Sequence, residues 1–456
     1  MRESRYNIWA ERDGVDYVFN GVSGSLLRLG PGERVRVRAA LSDPSYTDCA
    51  PQLLEKMAHG RMLVSDDLDE VAMLAQRYRA SRDDTGTFGL TIVTSLGCNF
   101  DCPYCFEDKH ASILAPDVAD ATLAVLDDQL GHISSFHVSW FGGEPLVGKR
   151  ALLELSDRFI ERCDAASVDY SAMITTNGYL LDEATSAQLA ARRVTSAQIC
   201  LDGPPEIHDR MRPLANGGST FWRIVENLHH AVEHLGVAVR MNADRTNTPH
   251  AEALLEILAA EGLAGRLTVY LGQIVGIDDG TPSPSSTYGS RCYTNAEFAR
   301  ADLEFNRLAA GYGFSSPSLP SPATTPCTAV RANELVVGSE GELYKCWDSV
   351  GNPREVIGDI RSYGDTNGRL RRWLAYDPFS DPDCSTCIAL PGCMGGCAHH
   401  AMDLVQRDNR CGTFRHTYQE QVEAFVDETL TRRAAEDVPV DLQRRPAGVV
   451  APLATR

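Results

Sequence analysis

Residues 90–110, LTIVTSLGCNFDCPYCFEDKH, carry an apolar, β-branched run directly into three cysteines, Cys98, Cys102 and Cys105. The run reads as a strand, and Gly97 as the start of a loop. A structural zinc site or an ordinary iron–sulfur cluster takes four ligands. Three thiolates in one loop leave a metal position for something other than the protein. Spacing alone is also compatible with part of a zinc knuckle, so the surroundings decide the reading.

Working outward, five more β-rich runs follow: FHVSWFG, YSAMITTNG, SAQICLDG, VAVRMNADR and LTVYLGQIV. Helical stretches at 116–130, 149–163, 182–192, 219–235 and 250–262 separate them. Such alternation implies a parallel sheet with right-handed crossovers. Six units predict an α/β fold, a partial (β/α)6 barrel. Barrels of this kind place their chemistry at the C-terminal ends of the strands. The cysteine loop follows the first strand, and Gly142-Gly143-Glu144-Pro145 ends the second. Thr176-Asn177-Gly178 ends the third, Leu201-Asp202-Gly203 the fourth and Asn242 the fifth.

Cys98-x3-Cys102-x2-Cys105, with Tyr104 before the last cysteine, resembles the signature of the radical S-adenosylmethionine (SAM) enzymes. The resemblance runs over residues 90–275 and implies a [4Fe-4S] cluster on the three thiolates, with SAM on the open iron. SAM would be cleaved there to a 5′-deoxyadenosyl radical that abstracts hydrogen from a substrate. Gly142, Gly143, Glu144 and Pro145 resemble the family's methionine-amine segment. Two glycines permit close backbone approach, and Glu144 could be a charge partner for an ammonium. Without the family context this is a simple Gly-Gly turn. Asn177, Asp202 and Arg212 resemble positions lining the SAM or substrate pocket, and an Arg fork suits a carboxylate. The bland readings are a loop cap for Asp202 and a surface ion pair for Arg212.

The C-terminal cysteines follow a second pattern. Cys327 and Cys346 precede Cys384-x2-Cys387-x5-Cys393-x3-Cys397, with Cys411 last. This resembles the seven-cysteine SPASM domain, which implies two auxiliary [4Fe-4S] clusters; zinc ribbons are the alternative. By that resemblance Cys327, Cys346 and Cys397 hold the first, with Cys292 as possible fourth ligand. Cys384, Cys387, Cys393 and Cys411 hold the second. Without Cys292 the first would keep an open iron. Cys49, Cys163 and Cys200 sit in apolar or helical contexts typical of buried cysteine. His399 and His400 read as structural rather than as ligands.

Residues 1–85 look like a separate module. SRYNIWAER and VDYVFNGVSGSLLRL read as two strands joined at Asp13-Gly14, followed by three helical stretches and the short apolar turn GRMLV. This predicts a small winged-helix-like α+β domain. The whole is then 1–85, a barrel over 86–280, a SPASM region over 281–435 and a mobile tail over 436–456. The chain of 456 residues is soluble in composition, with 43% hydrophobic residues and a formal net charge of −19. That charge argues against nucleic acid as a partner. No apolar run suits a membrane span, and MRESRYNIWAERDGVDY has no secretory h-region. A cytoplasmic location is expected, where 14 cysteines read as ligands or redox groups.

Enzymes of this domain order mostly modify peptides. The resemblance therefore implies a maturase that forms thioether or carbon–carbon cross-links in a ribosomally made precursor peptide. SRYNIW and YVFNGVSG would offer the leader an edge strand, and a flavodoxin or ferredoxin would supply electrons. No catalytic base is assignable. An anaerobic sulfatase maturase, forming formylglycine, is the alternative. In that group an Asp follows the cysteine matching Cys346, whereas here Trp347 does, and Asp348 is expected to face elsewhere. A small-metabolite dehydrogenase and a non-catalytic metal-binding interaction protein complete the set.

Overall fold

The structure is a computed structural model describing all residues except 44, 277–283, 316–320, 404 and 437–456, with backbone alone over 431–436. The N-terminal unit opens on β1 (Arg2–Glu3) and a meander of β2 (Asn7–Arg12), β3 (Val15–Asn20) and β4 (Ser25–Arg28). Asp13 and Gly14 take φ of 52° and 73°, the left-handed pair that a tight hairpin requires. Then come α1 (Glu33–Ser42), α2 (Pro51–His59), β5 (Leu63–Val64) and α3 (Glu70–Arg82).

Two expectations change here. The stretch 15–29 is not one strand: it turns at Gly21–Gly24 and returns as β4. β3 is therefore paired on both sides, and YVFN is not an edge. The GRMLV turn contains β5, which pairs antiparallel with β1 across more than fifty residues of sequence. No local pattern marks a contact at that separation.

The barrel alternates as its periodicity requires. Its elements are β6 (Thr87–Ser95), α4 (Pro116–Gln129), β7 (Ser135–Gly142), α5 (Lys149–Ala166), β8 (Asp169–Thr176), α6 (Glu183–Ala190) and β9 (Val194–Cys200). They continue as α7 (Pro205–Met211), α8 (Phe221–His234), β10 (Gly236–Ala243), α9 (Ala251–Ala260) and β11 (Thr268–Gln273). Strands β6 to β11 pair parallel, in sequence order. Alternate residues such as Ile92, Trp140, Ile174, Ile199 and Val239 bury outward under the helices. Their neighbours face the barrel interior, because strand side chains alternate.

The sheet does not end at six strands. β12 (Glu334–Val337) adds parallel to β6, and β13 (Glu342–Tyr344) and β14 (Gly358–Asp359) continue antiparallel. Gly89 on β6 makes this possible, since a Cβ there would meet the Glu334 carboxylate. The cysteine-rich region is thus tied to the barrel by backbone pairing.

α10 (Asn295–Gly311) starts at a capping box of Thr294 and Glu297 and packs beside β11. The C-terminal helix, Phe414–Glu436, lies between α10 and β2. Its Gln419 donates to the Trp9 carbonyl at 2.8 Å, and Arg12 pairs with Asp427 at 2.7 Å. The outer edge of β2 is therefore covered at Trp9, and β4 is the other edge of the meander. The part of the expected tail beyond Glu436 lies outside the described residues. No helix among the described residues is long and apolar enough to cross a membrane.

Candidate functional site

The three-cysteine loop leaves β6 at its C-terminal end. Cys98 accepts from the Phe100 N–H at 3.4 Å, and Cys105 N–H turns back onto the Cys102 carbonyl at 3.2 Å. Burial pushes the Cys98 thiol up to about 11 and Cys105 to about 12, and it raises Cys102 too. Lys109 faces all three thiols and donates to the Phe100 carbonyl at 2.8 Å. A cation beside buried thiols favours their thiolate forms.

Glu144 braces this loop. Its side chain is 0% exposed. One carboxylate oxygen accepts from Thr176 Oγ1 at 2.7 Å and from Leu146 N–H at 3.0 Å. The other accepts from Asn177 N–H at 2.7 Å. The segment also hangs on the loop itself: Gly143 N–H bonds Ser95 O at 3.0 Å and Glu144 N–H bonds Gly97 O at 3.1 Å. A Cβ on Gly142 or Gly143 would lie 2.2 Å from Ser95 O or 2.7 Å from Leu96 O. The close backbone approach that two glycines allow is therefore to the root of the cysteine loop. The Glu144 carboxylate, read from sequence as a partner for an ammonium, is engaged by three protein donors. Pro145 opens the short turn that follows, and its carbonyl accepts from Thr94 Oγ1 at 2.8 Å.

Asn177, Tyr104, Asp202, Arg212 and Asn242 come together behind the loop. Asn177 reaches Asn99 Oδ1 at 2.7 Å and lies 3.9 Å from Cys98 Sγ. The Tyr104 hydroxyl donates to Asp202 Oδ2 and receives Arg212 at 2.6 Å and Asn242 at 3.2 Å. Asn242 N–H also bonds Asp202 Oδ1, at 2.9 Å. Asp202 is 0% exposed and Arg212 8%. Neither is a surface group, so the surface-ion-pair reading of Arg212 fails on burial, while Asp202 does accept a backbone N–H, from Asn242. Burial raises the Asp202 carboxyl, with the Arg212 charge opposing it. Arg212 Nε is buried without a partner and its guanidinium lies over the Phe100 ring.

Several residues here carried no signal in sequence. Asn247 bonds the backbone carbonyls of Asp202 and Asn242. His208 accepts the Asp202 N–H at 3.0 Å. Tyr288 donates to Asp244 at 2.6 Å and stacks edge-on against Tyr104. Glu107, buried just past Cys105, is pushed up to about 8 by burial, and Asp348 is among the charges acting on it. Glu144, Asn177, Asp202 and Asn242, by contrast, stood at recognisable strand ends.

The C-terminal cysteines fall into two neighbourhoods. Cys346, fully buried, feels the charges of Cys397 and Cys327. Cys393, pushed up to about 12 by burial, feels Cys411, Cys387 and Cys384. Cys292 packs against the cluster of Ile207, Met211, Ile274 and Tyr288, and its charged neighbours are Asp244 and Arg245. His400 N–H points at Cys397 Sγ at 3.4 Å, and its ring meets the Asn409 carbonyl. His399 packs against Trp373 and the His400 ring. Among the described residues no three Cys, His, Asp or Glu side chains close on one metal position. The fit of iron–sulfur groups therefore rests on donor chemistry: all-thiol sets, three in the first loop and four around Cys393.

Comparison with known proteins bears on both regions. Residues 92–258 match the Radical SAM superfamily. A cysteine-type anaerobic sulfatase-maturating enzyme of Clostridium perfringens (strain 13 / Type A) is 30% identical over 142 residues, 28% of this chain and 36% of that protein. The Fe-coproporphyrin III synthase of Methanosarcina barkeri is 24% identical over 165 residues, 36% of this chain and 39% of that protein. The chain thus spans little more than a third of these relatives. Among solved structures, native anSMEcpe with bound AdoMet and Cp18Cys peptide gives a TM-score of 0.53 at 18% identity, covering 77% of this chain and 99% of the other. Streptococcus suis SuiB bound to S-adenosylmethionine gives 0.51 at 14% identity, covering 89% of this chain and 98% of the other. At these identities the likeness establishes the fold.

Proposed function

The chain carries a radical SAM domain, and from that premise we propose that it is a peptide maturase cross-linking a ribosomally made precursor. Cys98, Cys102 and Cys105 would hold a [4Fe-4S] cluster with SAM beside it. When bound, that pair supplies reductive cleavage of SAM and a radical that removes a hydrogen atom from the substrate. A thioether or carbon–carbon link then needs one further electron and one proton to leave the substrate. The auxiliary thiol sets, Cys327/Cys346/Cys397 and Cys384/Cys387/Cys393/Cys411, would hold clusters able to take that electron.

The chain's own residues prepare the site. Glu144 fixes the cysteine loop against β8, and the Tyr104–Asp202–Arg212–Asn242 network closes the space behind it. Asn177 and Arg212 present an amide and a guanidinium suited to the polar parts of SAM. The observation that carries the peptide reading is the placement of the N-terminal unit. Tyr6, Val22, Leu74 and Tyr78 pack into the same apolar cluster as Cys346, Cys384, Leu390 and Met394. The unit is therefore seated on the cysteine-rich region, with β4 at the edge of its meander. A leader peptide would add to β4, rather than to YVFN, by strand pairing.

A sulfatase-maturase reading has support of its own, in the 30% identity to the Clostridium perfringens enzyme over 142 residues. One experiment separates the two. The enzyme is co-expressed anaerobically with short peptides encoded next to it, and peptide masses are recorded. Loss of a pair of hydrogens per link supports cross-linking. Unchanged masses, with a sulfatase-derived cysteine peptide converted to formylglycine, support the alternative.

A further inference from the structure

Within the barrel one charged side chain is unaccounted for. Arg240 lies on β10 in register with Cys200 on β9 and Tyr270 on β11. Its neighbours Val239 and Met241 are buried in the outer core, so Arg240 faces the interior. Among the described residues no carboxylate pairs with it, and its Nε is buried without a hydrogen-bond partner. The nearby Tyr270 hydroxyl is committed to Gln198 Oε1. Other arginines of the barrel region do have partners: Arg192 bonds Asp157 and Arg193 bonds Asp164.

The side chain also has a direction. A Cβ on Gly272 would lie 1.9 Å from Arg240 Nε. Gly272 is in register with Asn242, two residues further along the strand than Arg240's own partner Tyr270. The guanidinium thus leans toward the C-terminal end of the sheet, where Asn242 joins the Tyr104–Asp202 network. Two strand residues span about 7 Å, so the fork reaches about one interior layer beyond Arg240's own backbone, to the level of Asn242. The absence of a side chain at Gly272 makes room for it.

A guanidinium in a partly enclosed interior, with no counter-charge among the described residues, is suited to a planar anion. We propose that Arg240 binds a carboxylate of the substrate, from an Asp or Glu side chain or from a free C-terminus, and so sets which residue lies under the cofactor. This rests on the reading of the barrel as the substrate chamber. It makes Arg240 a specificity-determining residue separate from the groups proposed for SAM.

The test uses anaerobically reconstituted, SAM-loaded holoenzyme and three probes. These are a blocked alanine peptide with one central Glu, its Gln counterpart, and the alanine peptide with a free C-terminal carboxylate. At least one carboxylate peptide should bind the wild type about tenfold or more tighter than the neutral one. Which one it is identifies the source. Arg240→Met should abolish that preference while retaining SAM binding, which excludes unfolding. Arg240→Lys should restore it only in part, since an ammonium lacks the planar fork. Equal binding of all three peptides to the wild type, or an undiminished preference in Arg240→Met, overturns the proposal. An Arg240-dependent preference without any cross-linked product would remove the cross-linking reading and leave this one standing.

Discussion

Cys98, Cys102 and Cys105 hang from a sheet, whereas Cys384, Cys387, Cys393 and Cys411 lie in a region of short turns and helices packed on the N-terminal unit. Around the first loop, four strand ends supply Glu144, Asn177, Asp202 and Asn242, all buried and all hydrogen-bonded. Around the second set the backbone forms only short turns and helices, Pro382–Ser385, Leu390–Cys393 and Ala398–Met402. Arg410, paired with Asp381 and Asp383, is the main charged tie there. The barrel gives its loop buried, hydrogen-bonded support from strand ends, whereas residues 382–411 have short turns and helices and an apolar cluster. A small region with little regular structure depends on its metals for folding.

The largest expected effect follows from that contrast. With iron–sulfur groups at all three thiol sets, the protein should hold about a dozen irons per chain. Chelation should then release residues 382–411 to rapid amide exchange while β6–β11 stay protected. Hydrogen-exchange mass spectrometry on holo and stripped protein reads this directly. Equal protection of both regions after iron removal would break the comparison, and a zinc-loaded protein would replace the iron–sulfur reading altogether. Cys98→Ala should leave the auxiliary iron in place and abolish 5′-deoxyadenosine formation.

Next in size is the buried charge network. Arg212→Met removes the cation 3.8 Å from the buried Asp202 carboxylate and leaves it only its neutral donors, Tyr104 and Asn242. Removing one partner of a buried pair costs about 3–5 kcal/mol. Thermal denaturation should show the loss, and Asp202→Asn combined with Arg212→Met should recover part of it. If the single change costs under about 1 kcal/mol, the loop is not held by this network.

Glu144→Gln is a smaller test of the same idea. The amide would set its own donors against the Asn177 N–H, the Leu146 N–H or the Thr176 hydroxyl. A buried donor left without an acceptor costs about 1–3 kcal/mol. The loss should appear locally, as faster exchange at Asn177 and in the loop 97–105, with the C-terminal cysteine region unaffected.

Sequence and structure agree where the signal is local. The six barrel strands and the helical stretches between them were legible because their apolar periods repeat within ten or twenty residues. The strand ends and cysteine spacings stood out for the same reason. What sequence could not supply was pairing at a distance. β5 meets β1, β12 joins β6 over Gly89, and Glu144 meets Thr176 and Asn177. Gly89 and Gly272 look like weak points in strands until the side chains of Glu334 and Arg240 are seen to occupy their space.

The smallest expected effect concerns pH. His208 is 0% exposed, and burial, aided by the Arg212 charge, lowers its pKa well below the ordinary histidine value. Its Nδ1 accepts the Asp202 N–H, so it must be neutral in the folded protein. An unfolded histidine gains its proton near pH 6.5. The unfolded state therefore binds more protons below that pH, and stability falls as pH falls through and below 6.5. The slope cannot exceed about 1.4 kcal/mol per pH unit for one group. His208→Asn keeps an acceptor near the Nδ1 position and cannot titrate. Its unfolding free energy between pH 7.5 and 5.5 should run flatter than wild type, the difference appearing only on the acid side. If the two curves stay parallel, His208 is not the group that ties the first loop's support to pH. The cysteine-rich region, which His208 does not touch, should show the same pH response in both proteins.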